Sequence, residues 1–233
     1  ARAHIENIVL RGNTKTQDEV IRREFRQMEG AWFATRKIQK SKQRVDKLDY
    51  FSEVNLETPP VQGTKDQVDL NVAVKEKPTG SFNIGAGVSS GEGLVFSGGV
   101  TQSNLFGTGK VLSTQVNTSK SNQVYSVSYN NTYYTENNAR SGFDIYQRNV
   151  DTTSTSISPY KSYTSGGGVR FGVPIGEDET LHYGLSVERS TYELTSTSPV
   201  QFQNYVKTFG PTTSNLLGTV GWTRDSRDSA IYP

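Results

Sequence analysis

The chain has 233 residues, enough to bury a core in one or two domains. With 25 basic and 23 acidic residues its net charge is +2, too balanced for nucleic acid to be the main partner. It has no cysteine, which excludes a disulfide framework, a thiol nucleophile and a cysteine-based zinc site. The two histidines, His4 and His182, stand far apart and in no ligand-like spacing. Mean hydropathy is −0.60, and no apolar run nears the ~18 residues of a membrane helix. A transmembrane barrel stays open, because its strands alternate polar and apolar residues. No leader segment is visible at the N-terminus, so an exported chain is expected here in mature or trimmed form.

Composition breaks near Pro78. Residues 1–79 hold 27 charged residues, 3 glycines and 4 Phe or Tyr, whereas residues 80–233 hold 21, 19 and 18. One uniform domain seldom changes so sharply, and Lys77-Pro78-Thr79-Gly80 can end a strand and redirect the chain. The division is therefore expected at 1–77 and 78–233.

The first segment reads as an α+β unit. Ile5 to Leu10 suits a strand, with Gly12-Asn13 as the turn after it. Thr16-Gln17-Asp18-Glu19 fits a capping box, and Val20, Ile21, Phe25 and Met28 recur at helical spacing up to a stop at Gly30. A second helix is expected from about Thr35, with Ile38, Val45 and Leu48 turned inward. Two strands follow, one around Val54 and Leu56 and one with Val68, Leu70, Val72 and Val74. The order is β-α-α-β-β.

The second segment has almost no helical periodicity. Dyad patterns replace it, separated by turn-rich stretches: Phe82, Ile84, Ala86 and Val88 alternate with Ser81, Asn83, Gly85, Gly87 and Ser89. Similar alternation marks Leu94 to Thr101, Leu112 to Asn117, Tyr125 to Asn130, Phe143 to Tyr146, Val169 to Val173, Leu181 to Glu188 and Leu216 to Thr223. That makes about eight antiparallel strands, several long enough to cross a bilayer at a tilt. The polar face suits a wet lumen, and aromatics such as Phe82, Phe96, Tyr125, Tyr133, Tyr134, Tyr163 and Trp222 lie near strand ends, as an interfacial girdle requires. On patterning alone, a soluble antiparallel β domain is the alternative, and it would not need detergent.

Motifs for chemistry fail. Gly107-Thr108-Gly109-Lys110 lacks the first glycine and the following Ser or Thr of a phosphate loop, since Asn104 and Val111 stand there. Gly85-Ala86-Gly87 lacks the third glycine of a dinucleotide fingerprint and sits inside a strand. Glu177-Asp178-Glu179 reads as a solvated loop, and Trp222 to Asp228 as a strand end with local ion pairs. No nucleophile, base and acid come together, so no enzyme is expected and no cofactor or metal is implied.

Arg22-Arg23-Glu24-Phe25-Arg26-Gln27-Met28-Glu29-Gly30-Ala31-Trp32 and Lys75-Glu76-Lys77-Pro78-Thr79-Gly80-Ser81-Phe82-Asn83-Ile84-Gly85 resemble the BamA family of outer-membrane β-barrel assembly factors. Residues 1–77 resemble its last periplasmic polypeptide-transport-associated (POTRA) domain. The remainder, with the Asn104-Leu105-Phe106-Gly107-Thr108-Gly109 turn, resembles roughly the N-terminal half of its barrel. The family barrel has about sixteen strands, so the resemblance implies an incomplete transmembrane barrel. It implies a bacterial outer-membrane location with the POTRA domain in the periplasm. It also implies nascent β-barrel proteins as clients, accessory lipoproteins as partners and the lipid bilayer as surroundings. Under it, Ser81 to Ser89 form the seam strand that pairs with a client. Arg22 and Glu29, seven residues apart and so on one side of a continuous helix, belong to a lipoprotein-docking face. Glu29 would also sit at a helix C-terminus, where the dipole disfavours an acid. A two-partner secretion or TamA-like translocation porin would share this order of parts and is the functional alternative.

Overall fold

A computed structural model describes residues 3–64, 66–135, 139–153, 159–176 and 178–225. The chain divides into two units, 1–80 with 103–110, and 81–102 with 111–233.

The first unit is built from β1 (His4–Arg11), α1 (Asp18–Arg22), α2 (Thr35–Lys47), β2 (Phe51–Glu57) and β3 (Gln67–Glu76). The sheet order is β1-β3-β2, with β1 parallel to β3 and β2 antiparallel to it. Both helices lie in the connection from β1 to β2, and their apolar sides close the core. Ile5, Val20, Ile21, Val45, Leu70 and Val72 are all 1 % exposed or less. Glu24 is buried in this unit, and its carboxylate meets Arg44 at 2.8 Å. Burial pushes the Glu24 carboxyl up, against the opposing pull of Arg44.

The expected helix to Gly30 stops at Arg22. Polar side chains claim the backbone that would have continued it. Ser41 Oγ accepts from Arg26 N–H at 2.8 Å, and the buried Gln27 binds the carbonyls of Met28 and Trp32 and the N–H of Ala34. Met28, expected to face inward, is 64 % exposed. The capping box does not form either: Gln17 is the N-cap and makes no side-chain cap bond.

The second unit is an open sheet of eight strands. They are β4 (Gly80–Ser89), β5 (Gly93–Leu105), β6 (Lys110–Thr118), β7 (Asn122–Asn131), β8 (Arg140–Asp151), β9 (Tyr160–Pro174), β10 (Glu179–Leu194) and β11 (Thr212–Arg224). Their order follows the chain, leaving β4 and β11 as the edges. The shortest has 9 residues, which is enough to cross a bilayer.

Registry sorts the two faces. Phe143 lies beside Tyr129 and Val169, Val169 beside Leu185, Phe171 beside Tyr183, Tyr183 beside Val220, and Leu181 beside Trp222. These residues form one apolar band with large side chains turned outward: Ile145 is 62 % exposed, Val220 76 % and Trp222 59 %. The other face is polar. There Tyr146 Oη donates to Glu188 Oε2 at 2.6 Å across the intervening strand β9. Gly166 lies between them, and a Cβ on it would stand 2.7 Å from the Tyr146 ring. Only glycine leaves room for that bridge.

One element was not expected. A helix, α3 (Val200–Phe209), interrupts the connection from β10 to β11. Phe202 stacks on Tyr160 at 5.2 Å and Tyr205 meets Tyr192 edge-on at 6.4 Å. Ser198 Oγ donates to the Pro159 carbonyl just before the helix.

Candidate functional site

Strand β4 is the first strand of the sheet and, among the described residues, pairs with β5 alone. Of its ten residues only Gly85 is even half-buried, and Phe82, Ile84 and Val88 are 79 %, 83 % and 84 % exposed. These three share the apolar face, while Ser81, Asn83, Gly85, Gly87 and Ser89 share the polar one. A Cβ on Gly85 would meet Ser97 Oγ at 2.6 Å, whereas Gly87 borders open space.

The pairing with β5 shows which backbone groups are spent. Ser103 N–H donates to the Thr79 carbonyl at 3.0 Å, Asn83 lies against Gly99, and Gly85 lies against Ser97. Each pair keeps the same register, so the odd-numbered residues bond toward β5. The N–H and C=O groups of Phe82, Ile84, Ala86 and Val88 therefore point to the free edge. All nine expected seam residues fall in this strand.

Arg22 and Glu29 do meet, at 3.0 Å, but not as neighbours on one helix. Arg22 ends α1, and the chain folds back through an irregular stretch to bring Glu29 to it. Both side chains then grip β1. Glu29 Oε1 accepts from Ile8 N–H at 3.0 Å, and Arg22 Nη2 donates to the Ile8 carbonyl at 2.9 Å. Strand β1 is an edge of its sheet, paired with β3 alone, so the Ile8 backbone groups turned away from β3 take these side chains as partners. The Ile8 N–H first, and Arg22 second, hold the Glu29 carboxyl below the usual carboxylate range. The sequence gives no sign of the Ile8 bonds. Close by in sequence, Trp32 is 52 % exposed, and the His4 ring lies tilted against it with centroids 3.7 Å apart.

A second polar cluster sits in the loop after β1. Glu76 accepts from Thr16 N–H at 2.7 Å, from Lys15 N–H at 3.1 Å and from Thr14 Oγ1 at 2.8 Å. Burial alone would raise this carboxyl, but those donors outweigh it and hold it down to about 2, from an ordinary value of 4.5. A depressed carboxyl stabilises the fold above its unfolded value and loses that contribution as the pH falls. We expect the melting temperature of the whole chain in detergent to drop between pH 4.5 and 2. Glu76→Gln should remove that step and cost about 1 kcal/mol at pH 7, since water screens a group this open. An unchanged acid limb in Glu76→Gln would assign the step elsewhere.

On the polar face of the second unit, His182 joins Arg140 and Arg170 around a cavity of about 440 Å³. Arg170 pairs with Asp144 at 3.4 Å. Of the acidic run near β10, Glu179 reaches Arg224 at 3.9 Å, while Glu177 lies outside the described residues. Residues 226–233 also lie outside them, and with them Ser226, Arg227 and Asp228 of the motif that begins at Trp222.

Known proteins match both units. The POTRA model (surface antigen variable number repeat) matches residues 3–77. The outer membrane protein assembly factor BamA of Neisseria meningitidis is 40 % identical over 99 % of this chain, and that of Nitratidesulfovibrio vulgaris is 31 % identical over all of it. The chain spans 30 % and 28 % of those two relatives' lengths. The crystal structure of BamA from Haemophilus ducreyi lacking POTRA domains 1–3 superposes with a TM-score of 0.80 at 26 % identity, over the whole of this chain and 46 % of that one. The Omp85 superfamily domain matches residues 104–233, more than half of the chain. This chain belongs to the Omp85 superfamily.

Proposed function

We propose that the chain is the part of a bacterial outer-membrane assembly factor that receives the strands of β-barrel clients and helps insert them. The reading places the apolar band against lipid and the POTRA unit in the periplasm. The observation that carries it is the direction of the β4 backbone: as the first strand of the sheet it turns the N–H and C=O groups of Phe82, Ile84, Ala86 and Val88 away from β5, where a client strand can bond them. Each such bond contributes about 0.5–1.5 kcal/mol net, so several together hold a client and still release it. No covalent step is needed. The relatives named as assembly factors support the same reading. A soluble binding module is disfavoured, because it would not leave so long an apolar band in water. Arg22 and Glu29 are proposed as part of the surface that docks an accessory lipoprotein.

These 233 residues hold no cysteine, so a single cysteine added among them is unambiguous once any elsewhere in the protein is replaced. Such cysteines belong at Asn83 and Gly87 of the full-length protein, where Gly87 has open space for a side chain. Others are placed along the terminal strand of a stalled client. Disulfides in one register are expected, with the client retained in the membrane. Crosslinks without register would show that the client does not pair here. Release of the client across the membrane would favour the translocation porin.

A further inference from the structure

Residues 103–110, the turn between β5 and β6, belong to the first unit although they are far from it in sequence. The turn is bound there by buried polar contacts. Asn104 is 7 % exposed and Thr16 is 3 % exposed. Asn104 Nδ2 donates to Thr16 Oγ1 at 2.8 Å, and Asn104 Oδ1 accepts from Gly109 N–H at 2.8 Å. Gln17 N–H donates to the Gly107 carbonyl at 2.9 Å, and Tyr50 Oη to the Gly109 carbonyl at 3.3 Å.

The backbone of the turn is shaped for this seat. Asn104 and Phe106 adopt φ of +55° and +51°, and Gly107 adopts +74°. Such values in non-glycine residues persist only where the surroundings enforce them. A Cβ on Gly107 would stand 1.8 Å from the Lys15 carbonyl oxygen, so the two backbones touch with nothing between them. The receiving loop is itself fixed, since Glu76 binds Thr14, Lys15 and Thr16.

Strand β5 ends in this turn at Leu105, and Ser103 bonds to Thr79 immediately before β4. We propose that Asn104 is a positioning residue: it latches the β5–β6 turn onto the first unit and thereby fixes the Gly80 end of β4. The edge strand then has one held end and one free end. The held end fixes the register in which a client strand can add along the side of β4 turned away from β5. This inference rests on the reading of β4 as the client-pairing edge.

The test uses the full-length protein in lipid nanodiscs, with Asn104→Ala, Asn104→Asp and Thr16→Val. Amide hydrogen exchange is read without a client, and the cysteine crosslinks with one. Losing a buried hydrogen bond in Asn104→Ala should speed exchange about tenfold at Ser81, Asn83 and Gly109, with little change at Gly87 and Ser89. Thr16→Val should do the same at nearly constant shape, which guards against a misfolded alanine variant. Asn104→Asp should behave as the parent, because the Thr16 hydroxyl can turn to donate to a carboxylate while Gly109 still donates to it. The client crosslinks should spread over several registers in Asn104→Ala and Thr16→Val only. Unchanged exchange in both of these variants, equal disturbance in Asn104→Asp, or a single register retained throughout would overturn the latch. Exchange changes as expected, with no crosslinks even in the parent, would uphold the latch and remove the client reading instead.

Discussion

Proline at Ile84 should stop client assembly while leaving the first hairpin of the sheet intact. The reason lies in the alternation of backbone groups along β4. The Thr79–Ser103, Asn83–Gly99 and Gly85–Ser97 pairs share one register, so the Ile84 N–H faces away from β5. Proline there removes a donor that β5 does not use, and edge strands tolerate proline when its missing N–H faces outward. An incoming strand loses that bond and meets the pyrrolidine ring at the same place. Several adjacent bonds weaken together, so assembly in reconstituted vesicles should fall by about tenfold or more. Ala86→Pro should act alike. Gly85→Pro is the contrast, because its N–H faces β5, and it should melt the hairpin whether or not a client is present. If Ile84→Pro assembled clients at the parent rate, β4 would not be the templating edge.

The same alternation explains why the second unit was legible from the sequence. A period of two survives any tertiary context in which one face is apolar and the other wet. All eight strands therefore announce themselves, and stretches rich in turn-forming residues separate them. The β-α-α-β-β order of the first unit was legible for a related reason: Val68, Leu70, Val72 and Val74 can only be a strand with one buried face.

What stayed hidden is long-range or polar. Helix α1 ends early because Ser41, Gln27 and Glu29 bind distant backbone, and local periodicity from Val20 to Met28 carries no trace of those bonds. Thr16 looks like a cap, yet its hydroxyl serves Asn104, 88 positions away. Helix α3 did leave a signal, since Phe202, Tyr205, Val206 and Phe209 follow Pro199 at helical spacing. It was outweighed by the polar strand-and-turn pattern on both sides. Arg22 and Glu29 were expected on one side of a continuous helix, two turns apart; a fold-back brings them together instead, and into an ion pair.

That fold-back sharpens what Glu29→Lys should do. The substitution places a cation against Arg22 and takes the acceptor away from Ile8 N–H. The pair is roughly half exposed, so the ion pair itself contributes only about 0.2–1 kcal/mol and the unit should remain folded. Yet the surface formed by Arg22, Glu29 and β1 changes both charge and shape. Recovery of the accessory lipoprotein with the full-length protein should therefore fall by about tenfold or more, as expected for a charged pair reversed within an interface. Glu29→Gln should retain most of it, since an amide oxygen still accepts from Ile8 and Arg22. The exchange Arg22→Glu with Glu29→Arg separates two explanations. It rebuilds an ion pair, but arginine cannot accept from Ile8 N–H and glutamate cannot donate to the Ile8 carbonyl. If the grip on β1 shapes the docking surface, the exchanged protein should lose its partner like Glu29→Lys. Full recovery in the exchanged protein would mean that charge pairing alone matters. Full recovery in Glu29→Lys would remove these residues from the docking face.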